Sequence, residues 1–207
     1  MRIVSILKKY RIKKKLKTNK DHITYGNDTF LINNFNFRLT NPTPKKKYIE
    51  IGSECLIEGH FIFERETGQI KVGDRVHIGG GTKLISINSI EIGNDVTMAW
   101  GITLYDHNSH SIYWSERSDD TPSEIRNLKA GRNFIADKNW DVVKSAPIKI
   151  EDKVWIGFDV TILKGVTIGE GSVIGAKSVV YQDVPPYSVV IGNPARVVKT
   201  IQENNEK

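Results

Sequence analysis

Residues 150–190 read IEDKVWIGFDVTILKGVTIGEGSVIGAKSVVYQDVPPYSVV. Within them Ile150, Ile156, Ile162, Ile168, Ile174 and Val180 fall at every sixth position. Four places after each of the first five stands a small or β-branched residue: Val154, Val160, Val166, Ser172 and Ser178. A period of six fits neither a helix at about 3.6 residues per turn nor one strand at about two. It fits short β segments joined by tight bends, each sending one aliphatic side chain into a common interior. Such units bury their apolar face only against the next coil, so a solenoid follows. Gly157, Gly165, Gly169, Gly171 and Gly175 fall where bends are expected, and positive φ costs glycine little.

The rule extends backward. Ile51, Ile57 and Phe63 form one triplet, Val72, Ile78 and Leu84 a second, and Ile92, Met98 and Leu104 a third. Steps between triplets are nine and eight residues, and from Leu104 to Ile150 the step is 46. All extra residues therefore leave at one recurring place, the third corner of an 18-residue triangular coil. A β-sandwich would show alternation and turn signals every 8–12 residues or so, which this fixed phase does not match.

The IGxxVxI units, the WIG at 155–157 and the GNPAR at 192–196 resemble the hexapeptide-repeat acyltransferases, in particular the saccharide O-acetyltransferase branch. The resemblance covers roughly residues 49–200 and implies an all-β, left-handed parallel β-helix. Handedness rests on the resemblance alone, because parallel crossovers are normally right-handed. The expected organisation is a basic N-terminal segment and irregular lead-in at 1–48, the β-helix at 49–200 with a loop excursion at 105–147, and a tail at 201–207.

Net charge is +6, but residues 1–20 carry nine Lys or Arg and no acid. The other 187 residues hold 21 basic and 24 acidic side chains, so the solenoid is slightly acidic. Ile3, Ile6, Leu7, Tyr10 and Leu16 could share a helical face among the lysines. Two readings fit this segment: weak contact with an anionic membrane surface, or a solvated terminus. Nucleic acid is not expected, since no aromatic stacking groups or binding motif accompany the charge. No apolar run is long enough to span a membrane, and lysines interrupt any signal-like stretch. The single Cys55 fits a reducing cytoplasm, with a peripheral position at the inner membrane face if the basic segment binds lipid.

Chemistry belongs where the pattern breaks, because loops on a rigid scaffold carry function. The largest break begins LYDHNSH, putting Asp106, His107, Asn108 and His110 close behind Leu104. Acyl transfer to a hydroxyl needs a group that accepts and returns a proton near neutrality, and histidine does this without much tuning. His107 is the candidate general base and His110 the second choice; Asp106 could fix an imidazole tautomer, although adjacent side chains in an extended segment usually diverge. The resemblance implies acetyl-CoA lying between subunits of a homotrimer. It implies donor contacts at Phe158 and Ala176 for the pantetheine arm, Tyr181 and Gln182 near the nucleotide, and Arg196 and Lys199 at the phosphates. At Tyr181-Gln182 the family often has a small hydroxyl residue and a lysine, and this chain departs.

The expected function is acetyl-CoA-dependent O-acetylation of a saccharide, by direct transfer and without a metal, in bacterial surface polysaccharide assembly. Amino-sugar N-acetylation and xenobiotic acetylation are alternatives on the same scaffold. A zinc carbonic anhydrase using His77, His107 and His110, or a non-catalytic platform, belongs to other classes. Trp114 and Trp140 in the excursion suit either sugar stacking or anchoring of the flap.

Overall fold

The computed structural model describes residues 2–32 and 34–201, with side chains from residue 10 onward. Its strands form three sheets that run as the walls of a triangular prism. Wall one stacks Ile23–Tyr25, Ile49–Ile51, Ile70–Val72, Ile90–Ile92, Ile148–Ile150 and Thr167–Ile168 in parallel. Wall two stacks Phe30–Leu31, Leu56–Ile57, His77–Ile78, Thr97–Met98, Trp155–Ile156, Val173–Ile174 and Ser188–Gly192, closed by antiparallel Ala195–Thr200. Wall three stacks Asn36–Leu39, His60–Phe63, Lys83–Ser86, Thr103–Tyr105, Thr161–Leu163 and Val179–Val180.

The six-residue period becomes ladder register. Ile51, Val72, Ile92, Ile150 and Ile168 are successive partners on wall one. On wall two the column is Ile57, Ile78, Met98, Ile156, Ile174 and Val190. None of these exceeds 5% exposure, and each such side chain contributes about 1.5–3 kcal/mol by leaving water. Only the stack above and below supplies that burial.

The bends differ from the glycine expectation. At the corner after wall one the left-handed positions are Asp28, Glu54, Arg75, Asp95 and Lys153, with φ between 53° and 60°. A side-chain ladder accompanies them: Asp74 accepts the Ser53 N–H at 2.7 Å, Asn94 the Asp74 N–H at 2.9 Å, and Asp152 the Asn94 N–H at 2.8 Å. Of the five predicted bend glycines, Gly165 and Gly171 have positive φ. Gly157 serves close approach instead, since a Cβ there would lie 2.7 Å from the Ala176 nitrogen.

Three further expectations change. Residues 23–39 form a complete first coil, with Ile23–Tyr25, Phe30–Leu31 and Asn36–Leu39 paired in register to the next. The irregular lead-in is thus confined to shorter connections. In the following coil Phe61, not Phe63, stands under Leu84, because the preceding bend is two residues shorter; Phe63 lies under Ser86 and is equally buried. Finally, helix α1 (Arg2–Thr18) packs Ile12 and Leu16 against the core. Lys15 donates to Asn36 Oδ1 at 2.7 Å and to the Phe37 carbonyl, its ammonium 4.7 Å above the Phe37 ring. The helix therefore covers the first coil. Tyr10 is exposed rather than part of that contact, and the side chains of Ile3, Ile6 and Leu7 lie outside the described residues, as do 202–207 of the tail.

The excursion leaves after Tyr105 and returns at Ile148. It holds helices α2 (Trp114–Arg117) and α3 (Asp120–Lys129) and a 3-10 turn at Trp140–Val142. Its stem is zipped: His107 pairs with Ser145, Asn108 N–H donates to Lys144 at 3.1 Å, and Ala146 N–H donates to Asp106 at 3.0 Å.

Candidate active site

The zipped stem turns the two residues after wall three inward together. Asp106 is fully buried and accepts four hydrogen bonds. Its Oδ1 takes the Ile87 N–H at 3.0 Å and His107 Nδ1 at 2.9 Å; its Oδ2 takes the Ser86 hydroxyl at 2.7 Å and the Asn88 N–H at 2.9 Å. The carboxylate thus fixes the His107 ring, contrary to the expectation that neighbouring side chains diverge. The other ring nitrogen, Nε2, lies 3.0 Å from Glu64 Oε2. Tyr105 and Trp140 pack edge-on to the imidazole, with centroids at 4.5 and 5.9 Å. Trp140 therefore anchors the flap on His107.

Glu64 was not singled out by the sequence. It directly follows wall three at the same insertion corner as His107, two coils earlier, and that shared position is the signal that could have found it. Arg38, supplied by the first coil, pairs with Glu64 at 3.2 Å. Lys138, only 6% exposed in its side chain, approaches Asp120 at 3.8 Å and the Trp140 ring at 5.3 Å.

These charges shape protonation. Burial alone would push His107 down, but its hydrogen bonds to Asp106 and Glu64, with their charges, hold it above its ordinary value. Burial would raise Glu64, yet the His107 hydrogen bond and the His107, Arg38 and Lys138 charges hold it below the usual carboxylate value. Burial pushes Tyr105 up to about 12, aided by the Glu64 and Asp106 charges.

His110 goes elsewhere. Its Nδ1 meets Asp120 of α3, with Lys138 Nζ at 3.4 Å. His77 lies on wall two, outside the stem. Among the described residues no three potential metal ligands cluster within the chain, so the histidines a zinc reading needs are not assembled in one subunit.

The six residues that the resemblance implies for the donor fall into two groups, with Gln182 and Lys199 exposed at their margins. Phe158 is half exposed at the corner between walls two and three; the Lys177 N–H, next to exposed Ala176, donates to its carbonyl at 2.9 Å. Tyr181, also half exposed, follows wall three, and its hydroxyl accepts from Arg196 at 3.3 Å with the guanidinium 5.8 Å from its ring. Phe158 and His107 thus stand at opposite edges of wall three.

Comparison with known proteins agrees with this architecture. Residues 147–182 match the family model "Bacterial transferase hexapeptide (six repeats)". Over 162 residues the chain is 34% identical to a probable acetyltransferase, Rv3034c, of Mycobacterium tuberculosis, covering 77% of this chain and 47% of that protein. Over 134 residues it is 33% identical to WbbJ of Escherichia coli, a putative lipopolysaccharide biosynthesis O-acetyl transferase, covering 64% and 61%. The chain therefore spans less than two thirds of the length of these relatives. Among solved structures, the hexapeptide-repeat acetyltransferase VCA0836 of Vibrio cholerae, complexed with acetyl-coenzyme A, is similar at TM-score 0.52 and 25% identity, covering 93% of this chain and 79% of that one. The N-acyltransferase AntD of Bacillus cereus shares the fold at TM-score 0.65 and 19% identity, covering 90% and 89%. The fold is the left-handed parallel β-helix of these structures, and the chain carries the bacterial transferase hexapeptide repeat and resembles these acetyltransferase relatives.

Proposed function

We propose that the protein is an acetyl-CoA-dependent O-acetyltransferase acting on a saccharide hydroxyl in bacterial surface polysaccharide assembly, with His107 as general base. The observation that carries this is the imidazole whose Nδ1 is locked by buried Asp106 at 2.9 Å, leaving Nε2 as its working edge. Acetyl-CoA, when bound, supplies an acyl group activated as a thioester. Neutral His107 takes the acceptor hydroxyl proton as the oxygen attacks the acyl carbon, then returns a proton to the departing sulfur. Asp106 keeps the ring in one tautomer and stabilises its charged form.

Phe158 and Ala176 support a pantetheine contact at one prism edge, and Arg196 with Tyr181 a phosphate contact, since a guanidinium meets phosphate bidentately. With Phe158 and His107 at opposite edges of wall three, a second copy is needed to bring donor and base together, which supports a homotrimer with sites between subunits. The exposed Arg11, Lys13, Lys14 and Lys17 of α1 support electrostatic attachment to anionic lipid, while Ile12 and Leu16 are committed to the core.

The test is thiol release from acetyl-CoA with a panel of saccharides and amino sugars. His107→Ala should lose roughly 10²–10⁴ in kcat on the best acceptor; equal activity of variant and wild type overturns the assignment. Acetylation of amino sugars alone would replace O-transfer by N-transfer.

A further inference from the structure

We propose that Glu64 is a further positioning residue of this reaction: its carboxylate oxygen holds the Nε2 edge of His107 at the spot an acceptor oxygen must take. The inference rests on the acyltransfer reading above. Nδ1 already faces the Asp106 carboxylate at 2.9 Å and must carry a proton to donate there. A neutral ring in that tautomer has its lone pair on Nε2, and a lone pair cannot share 3.0 Å with a bare carboxylate oxygen. A proton therefore lies between Nε2 and Glu64 Oε2 in the closed arrangement.

In that state His107 cannot serve as base. Its side chain has no exposed surface, whereas that of Glu64 has 19%. An acceptor arriving from solvent meets Glu64 first. When the Nε2 proton has left to solvent, the ring no longer holds the carboxylate, and the acceptor hydroxyl takes the vacated hydrogen-bond position. Glu64 keeps its second partner, Arg38 at 3.2 Å, whose own side chain is 45% exposed. The displaced carboxylate thus has a place to stay beside the acceptor. Proton transfer then runs as before: the hydroxyl O–H bond breaks, the proton passes to Nε2, and the imidazolium later gives it to sulfur. Burial pulls the ring down, but the hydrogen bonds to Asp106 and Glu64 and their charges outweigh it, in keeping with a base that titrates above its ordinary value.

A purely structural Glu64 would brace the corner without governing when His107 becomes a base. Glu64→Gln separates the two, because it keeps shape and removes charge. The His107 ring would be titrated by NMR in wild type and Glu64→Gln, alongside pH profiles of kcat/KM for the acceptor. The expected result is a His107 midpoint lowered by about one pH unit or more, the acid limb of kcat/KM moving down by the same amount, and an unchanged KM for acetyl-CoA. Glu64→Asp, which retains the charge, should restore most of the wild-type midpoint. A midpoint that stays put in a folded Glu64→Gln protein, or one that moves while the acid limb does not, overturns the proposal. Absence of acetyl transfer by wild type overturns the functional reading itself, and is recognised separately because the NMR titration needs no turnover.

Discussion

Replacing Asp106 by asparagine tests the site most directly, because every lone pair in use is known. Both carboxylate oxygens accept two donors, and an amide offers one acceptor oxygen and one donor nitrogen. With nitrogen at the Oδ2 position, His107 and Ile87 keep their acceptor. Ser86 can rotate to accept while donating to the Gln69 carbonyl, now 3.4 Å away. The Asn88 N–H alone then faces a donor, and Asn88 is only half buried. With nitrogen at Oδ1, the orphan would be the N–H of Ile87, which is 4% exposed, and His107 would be forced into the wrong tautomer. The first arrangement is cheaper. An orphaned donor costs about 1–3 kcal/mol, which in a chain of this size lowers Tm by roughly 2–4 °C per kcal/mol. The tautomer survives but the imidazolium loses an anionic partner, so kcat should fall about 10–100-fold, one to two pKa units' worth of lost stabilisation. Asp106→Ala strips all four bonds and should cost about 3–5 kcal/mol, with the full general-base loss of roughly 10²–10⁴. Thermal unfolding and thiol release at saturating acetyl-CoA measure both. An Asp106→Asn enzyme within twofold of wild-type kcat and with unchanged Tm would refute the claim that this carboxylate holds the base.

Arg196→Ala removes the cation proposed to meet the phosphates and frees Tyr181; KM for acetyl-CoA should rise about tenfold, or roughly 1.4 kcal/mol, with kcat little changed, and steady-state kinetics decide it. The Glu64–His107 pair predicts a stability window. The raised His107 contribution is present below its unfolded value and fades as pH climbs through the folded one; the lowered Glu64 contribution is present above its unfolded value and fades as pH falls through the folded one. The Tm difference between wild type and Glu64→Gln should therefore be largest between these limits and shrink on both sides, and a flat difference from pH 3 to 9 or so would contradict it. Sedimentation with vesicles should show binding to anionic but not neutral lipid, at about 1 kcal/mol per exposed basic residue of α1, lost at high salt; binding indifferent to salt would point to inserted apolar residues instead.

The solenoid was legible because its constraint is local: one inward aliphatic residue per six leaves a count that no other architecture keeps. The same count exists in the first coil, where Tyr25, Leu31 and Phe37 are the partners of Ile51, Ile57 and Phe61. It is harder to read because Tyr25, in the terminal coil, stays 48% exposed while Ile23 two places earlier is buried. That coil reaches the candidate site, since it contributes Arg38, the partner of Glu64. His107 stands out in the sequence through its place at the insertion corner together with the resemblance of its DHN context to the family. Its partners could not be read in the same way. Asp106 converges on His107 only because the stem pairs with residues 144–146 across the whole excursion. Glu64 reaches it across 43 residues of sequence, a separation that becomes two coils only after stacking. A parallel solenoid gives distant residues a common edge whenever they share a phase, so its catalytic groups are found by comparing equivalent corners of successive coils rather than neighbours in the chain. By that argument the proposed donor corner at Phe158 and the proposed base at His107 differ in phase within one subunit, and the proposed transfer asks for a second copy to bring them together.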